Sequence, residues 1–124
     1  MLEKIKAIIF ISRPINLIIT FLSVIVAAIL CIESQTYSEF KIILAAISAA
    51  FVGAAGNVYN DIRDIEIDKV NRPNRVLPKG LISVNNAQNI YLTFVALSFF
   101  ISSFINLSAL IVVVSATKIG RAHV

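Results

Sequence analysis

Asn57-Val58-Tyr59-Asn60-Asp61-Ile62-Arg63-Asp64-Ile65-Glu66-Ile67-Asp68 closes an apolar run that begins at Phe40. Placed on a helix at about 100° per residue, Asn57, Asn60, Asp61, Asp64 and Asp68 fall within an arc of roughly 100°. Ile62, Ile65 and Ile67 fall outside that arc, where they are free to pack. One face of a mostly apolar helix is therefore a stripe of amides and carboxylates. Carboxylates four residues apart on a helix have Cβ atoms about 5–6 Å apart, which costs about 3 kcal/mol per pair at an effective dielectric of 20. A cation must offset that repulsion wherever the stripe is buried. Oxygen-only donors suit Mg²⁺, which keeps its waters and takes one or two carboxylates plus phosphate oxygens. Ionisable residues at the end of a membrane span are functional candidates.

The rest of the chain supplies the membrane. Of its 124 residues 58% are hydrophobic and only 15% charged, against roughly 45–50% and 25% for a soluble domain. Mean hydropathy is +0.88. These values exclude a disordered chain, a disulfide scaffold and a nucleic-acid-binding module. Cys31 is the one cysteine, so no internal disulfide is possible, and it is expected to pack at a helix end. The net charge of +4 is carried by loop clusters that orient spans. Lys4, Lys6 and Arg13 precede the first apolar run; Arg63, Lys69, Arg72, Arg75 and Lys79 follow the second.

The first run, Pro14 to Ile32, opens with a proline suited to a first helical turn. It is about long enough to cross a ~30 Å hydrocarbon core and too long for a cleaved leader. A polar stretch from Glu33 to Glu39 leads to the second run, Phe40 to Tyr59, whose Ala49 and Gly53 are spaced for close helix approach. A third run covers Ala87 to Ile105 and a fourth begins near Leu107. The expected fold is all-α, a multi-pass transmembrane bundle with three complete spans and the start of a fourth. Two crossings return the chain to its starting side, so the N-terminus and the acidic motif are expected on the cytoplasmic face of the cell membrane. The fourth run stops at Thr117, about half of a span. Residues 118–124 match what a common sequencing-library adapter encodes in frame. They are expected to be a non-native tail, and His123 receives no role.

After the acidic stripe comes Lys69-Val70-Asn71-Arg72-Pro73-Asn74-Arg75-Val76-Leu77-Pro78-Lys79-Gly80, read as a loop from its prolines and glycine. Cations facing an acidic helix end suit an anionic substrate held between metal and basic side chains, with Arg apt for bidentate phosphate contact.

Asn60-Asp61-x-x-Asp64-x-x-x-Asp68 followed by Asn71-Arg72-Pro73-x-Arg75-x-x-Pro78-x-Gly80 resembles the first aspartate-rich motif and adjoining loop of the UbiA superfamily of intramembrane prenyltransferases. Arg13-Pro14-x-Asn16 is similar to that family's first helix. Asn57–Gly80 looks most like the branch holding geranylgeranylglycerol-phosphate geranylgeranyltransferases and chlorophyll synthases. It lacks the Arg-Thr pair common among haem-farnesylating and hydroxybenzoate-prenylating members.

The resemblance implies a nine-helix bundle, of which residues 1–117 form the N-terminal part. A second aspartate-rich motif belongs to the other half, and the fragment alone is expected to be inactive. It implies Mg²⁺ held by Asn60, Asp64 and Asp68, with Asp61 beside them, and the same four residues as the catalytic set. Arg72, Arg75 and Lys79 are implied to contact the substrate diphosphate, together with Asn57 and Asn16. The implied reaction is prenyl transfer from a prenyl diphosphate to a hydrophobic or lipid-like acceptor among the membrane lipids. An aromatic quinone precursor or a chlorophyll-type acceptor is the alternative within the family. A CDP-alcohol phosphotransferase would need Asp-Gly and Ala-Arg pairs ahead of Asp61, which are absent. An ion-translocating protein would not place Arg72–Lys79 beside a cation path.

Overall fold

The computed structural model describes residues 2–30 and 38–122. Cys31, the polar stretch 33–37 and His123 lie outside the described residues. The described chain is helical: α1 (Leu2–Ser12), α2 (Pro14–Leu30), α3 (Glu39–Arg63), α4 (Ile65–Asn71), α5 (Val84–Ser103) and α6 (Leu107–Ala122). Ser38 and Ser83 cap α3 and α5, accepting hydrogen bonds from the backbone N–H of Lys41 and Asn86. Each such cap contributes about 1 kcal/mol. Pro14 is the first residue of α2, as its missing N–H favours.

The long α3 is the axis of the packing, with α5 and α2 as its main neighbours and α1 and α6 making smaller contacts with it. Its buried residues Ala46, Ala54, Val58 and Asp61 lie on one stripe of the helix. Val58 belongs to an apolar cluster with Ala7 and Ile11 of α1, Ala87 of α5, and Val76, Leu77 and Ile82 of the connection between α4 and α5. That connection is thus anchored in the core. Elsewhere the apolar side chains are outward: Ile15, Ile18, Ile19, Leu22 and Ile29 of α2 are exposed, as a lipid-facing helix requires.

Length and composition qualify α3 to cross a membrane, and α1 with α2 qualify as one span bent by 50°. The third complete span expected from the sequence, over α5, is not shown by the same measure of length and composition. That helix has 20 residues, but Asn85, Asn86, Gln88 and Asn89 occupy its first turns, so its apolar stretch begins only at Ile90. Deeper in the bundle, the Ser48 hydroxyl donates to the Ser98 carbonyl oxygen at 3.0 Å, tying α3 to α5.

The spacing of Ala49 and Gly53 suits close helix approach. A Cβ on Gly53 would lie 3.5 Å from Oγ1 of Thr20 on α2, ordinary van der Waals contact. Gly53→Ala is therefore expected to fold as well as the wild type or better, since Ala gains about 0.8–1 kcal/mol of helix propensity. Thermal unfolding in detergent checks this, and a lowered midpoint would mean α2 sits closer than described.

Candidate active site at the end of the long helix

The acidic stripe is not one uninterrupted helix. Asp64 adopts φ −87°, ψ 5° between α3 and α4, the sparsely populated bridge region. The hydrogen-bond register nevertheless runs through it. Asp64 N–H donates to Asn60 O at 2.9 Å, Asp68 N–H to Asp64 O at 2.7 Å, and Arg72 N–H to Asp68 O at 2.8 Å. The side chains therefore keep their common face across the break. The segment read as a loop begins three residues later than its sequence suggests, because Lys69–Asn71 complete α4.

The five residues of the stripe go to different places. Asn57 donates through Nδ2 to the backbone oxygen of Ser12 at 2.9 Å, pinning the end of α1. Asp61 is only 5% exposed; its Oδ1 pairs with Arg13 and, at 3.2 Å, with Arg75. Asp68 is equally buried, and its Oδ2 accepts from Arg75 Nη1 at 2.6 Å. Asn60 and Asp64 instead line an open polar cavity of about 510 Å³, along with Asp68, Arg13, Arg72 and Arg75. Among the described residues none of the ion pairs involves Asp64.

Arg72 and Arg75, two of the cations expected at the diphosphate, both line this cavity. Lys79 is exposed and lies outside the residues lining this cavity. Asn16 is also exposed; its backbone N–H bonds to Arg13 O at 2.9 Å. In the sequence Arg13 reads as a span-orienting charge and as part of the Arg13-Pro14-x-Asn16 resemblance. Its pairing with Asp61 spans 48 positions. The one local signal was the need for a cation against the carboxylate stripe, which does not say which cation. Asn71 also lines the cavity and was quoted only as part of the motif.

A second, apolar cavity of about 500 Å³ opens between α2, α3 and α6, lined by Val24, Ala49, Val52, Gly53, Val112 and Val113 among others. Asn60 also borders a smaller pocket with the paired rings of Tyr59 and Tyr91. Polar and apolar spaces are therefore arranged along one helix, α3, with Asn60 near their junction.

Among the described residues no three His, Cys, Asp or Glu side chains converge as a metal-binding group. The donors that do face the polar cavity, Asn60, Asp64 and Asp68, are all oxygens. That set fits a hard divalent cation that shares its coordination with water and phosphate.

Residues 18–120 match the model of the UbiA prenyltransferase family. A digeranylgeranylglyceryl phosphate synthase of Saccharolobus solfataricus is 38% identical over 93 residues, covering 74% of this chain and 33% of that protein. The enzyme of the same name from Methanobrevibacter smithii is 43% identical over 86 residues, covering 68% of this chain and 29% of that protein. A solved structure concerning digeranylgeranylglyceryl phosphate synthase in membranes superposes with a TM-score of 0.87 at 35% identity, over 95% of this chain and 42% of that one. The chain spans about a third of the length of these curated relatives. Helix order, motif and match together place this chain in the UbiA prenyltransferase family.

Proposed function

We propose that the full-length protein carrying this segment is a membrane prenyltransferase of the geranylgeranylglycerol-phosphate type, with the present chain as the N-terminal part of its bundle. The observation that carries this reading is the single polar cavity shared by Asn60, Asp64, Asp68, Arg72 and Arg75. Acids and guanidinium groups facing one space suit a diphosphate bound with a counter-cation, whereas the arginines would repel the ion of a cation pathway. The relatives' shared name supports a glycerophosphate-type lipid acceptor over an aromatic one.

Asn60, Asp64 and Asp68 are the residues that would hold Mg²⁺. The ion would supply charge neutralisation for the departing diphosphate. Arg72, exposed on the cavity rim, is placed to receive a phosphate oxygen as negative charge builds on the leaving group. In the transfer, the allylic C–O bond to diphosphate breaks with its electron pair leaving on oxygen. The acceptor hydroxyl forms the new C–O bond, and its proton passes to the released diphosphate. The apolar cavity between α2, α3 and α6 would hold the isoprenoid chain and keep water from the allylic centre. Basic residues at both ends of the first two crossings support a cytoplasmic position for this site.

The test uses the full-length gene product in isolated membranes, labelled geranylgeranyl diphosphate and geranylgeranylglyceryl phosphate. Labelled lipid product is expected to form, to disappear with EDTA and to return with added Mg²⁺. Transfer only to hydroxybenzoate would move the protein to the quinone branch. Transfer indifferent to EDTA would remove the metal from the reading.

A further inference from the structure

We propose that Asp61 is a positioning residue: its carboxylate holds Arg13 and Arg75 in place and does not bind metal or diphosphate. This rests on the prenyltransferase reading above. Asp61 belongs to the motif by spacing, but not to the cavity by geometry. It lies on the packing stripe of Ala54 and Val58, whereas Asn60 and Asp64 line the polar space. Its Oδ1 serves two guanidinium groups, Arg13 from the α1–α2 junction and Arg75 from the connection after α4. Arg75 then reaches on to Asp68. Arg13, Asp61, Arg75 and Asp68 form one chain of ion pairs that ties the distant α1–α2 junction to α3, α4 and the connection after α4.

Two further features show that the network fixes backbone as well as side chains. Arg13 has φ +54°, a left-handed conformation that costs a non-glycine residue free energy and persists only where surroundings over-determine it. Beside it, Asn57 clamps the Ser12 carbonyl oxygen. At the other end, Val76 and Leu77, next in sequence to Arg75, are buried in the apolar cluster with Val58. The guanidinium of Arg75 is thus held from its backbone by packing and from its tip by Asp61 and Asp68. Removing the Asp61 charge frees one end of that arrangement. Both arginines line the cavity, so the loss falls on anion binding while the oxygen donors of Asn60 and Asp64 stay where they are.

The experiment uses the full-length gene product in detergent, with Mn²⁺ and inorganic pyrophosphate as separate binding probes. Asp61→Asn is expected to weaken pyrophosphate binding about tenfold, the scale of one charge-assisted contact, and to leave Mn²⁺ affinity within about twofold. Asp64→Asn is expected to weaken Mn²⁺ binding instead. Arg13→Gln should reproduce the Asp61→Asn effect, the double variant should be no worse than either, and Arg13→Lys should restore most of the loss. If Asp61→Asn does not yield folded protein, the Arg13→Gln and Arg13→Lys pair carries the same comparison. An Asp61→Asn variant that loses Mn²⁺ as Asp64→Asn does, or strictly additive Arg13 and Asp61 effects, overturns the assignment. Wild-type protein that binds no pyrophosphate and transfers no prenyl group overturns the prenyltransferase reading itself, and this assignment with it.

Discussion

Asp64→Asn in the full-length protein is expected to lower kcat/KM for prenyl transfer about 10²–10³-fold, equivalent to about 3–4 kcal/mol of lost transition-state stabilisation. The expectation follows from how the motif divides its acids. Asp61 and Asp68 each have an oxygen engaged by arginine, while among the described residues Asp64 has no ion pair and makes no side-chain cap to α4. Of the two carboxylates that line the cavity, Asp64 and Asp68, Asp64 is the one that no arginine neutralises among the described residues. The change to Asn preserves shape and one oxygen donor, so the loss reports charge. Lys69→Gln is a suitable comparison, because Lys69 is exposed and pairs with Glu66 on the neighbouring turn. Its effect should stay within the small range of a surface ion pair. Initial rates at varied prenyl diphosphate and Mg²⁺ separate the two. If Asp64→Asn retains more than about a tenth of wild-type kcat/KM, less than 1.4 kcal/mol is at stake and Asp64 does not hold the leaving group's counter-charge.

How much of this was legible in the sequence differs by residue. The longer helices were, because the apolar runs opening at Pro14, Phe40, Ala87 and Leu107 mark α2, α3, α5 and α6, whereas the short α1 and α4 carry no run of that length. The acid stripe was legible as well, since helical periodicity alone gathers Asn60, Asp61, Asp64 and Asp68. The division of labour within the stripe was not. It depends on which side of α3 meets α1 and the connection after α4, and a helical wheel has no neighbours drawn on it. Asp61 and Asp64 are equivalent in spacing and charge; packing makes one an internal anchor and leaves the other facing the cavity. The same limit applies to the arginines. Arg13 reads as an ordinary basic flank to an apolar run until a contact 48 positions away gives it a partner. Lys79 reads as one loop cation among several, yet Gly80 at φ +70° turns the chain where Lys79 is exposed. The third span, Ala87–Ile105, is less legible than the first two, because Gln88 and Asn89 near its start dilute the apolar signal.

The largest stability effect is expected at Ala54, which is 0% exposed on the stripe that α3 turns inward. Ala54→Leu adds three carbon atoms where there is no free volume. Overpacking of this kind costs typically 1–3 kcal/mol and more when backbone must move. Here backbone has to move, because helices in lipid gain little from burial itself and depend on close contact between small residues. Ala27→Leu is the matched control. Ala27 is exposed on α2, so the same added atoms meet solvent hydrocarbon and should change the unfolding midpoint little. The functional consequence follows from the geometry of α3. Ala54 lies six residues before Asn60 on α3 and ten before Asp64, the residue that caps its C-terminus, so a shift at the packing stripe carries both donors away from Arg72 and Arg75. Ala54→Leu should therefore lose thermal stability in detergent and prenyl transfer together, whereas Ala27→Leu loses neither. Equal midpoints for the two variants would mean that the buried face of α3 is not what sets the position of the acidic motif, and the link drawn here between packing and site would fail.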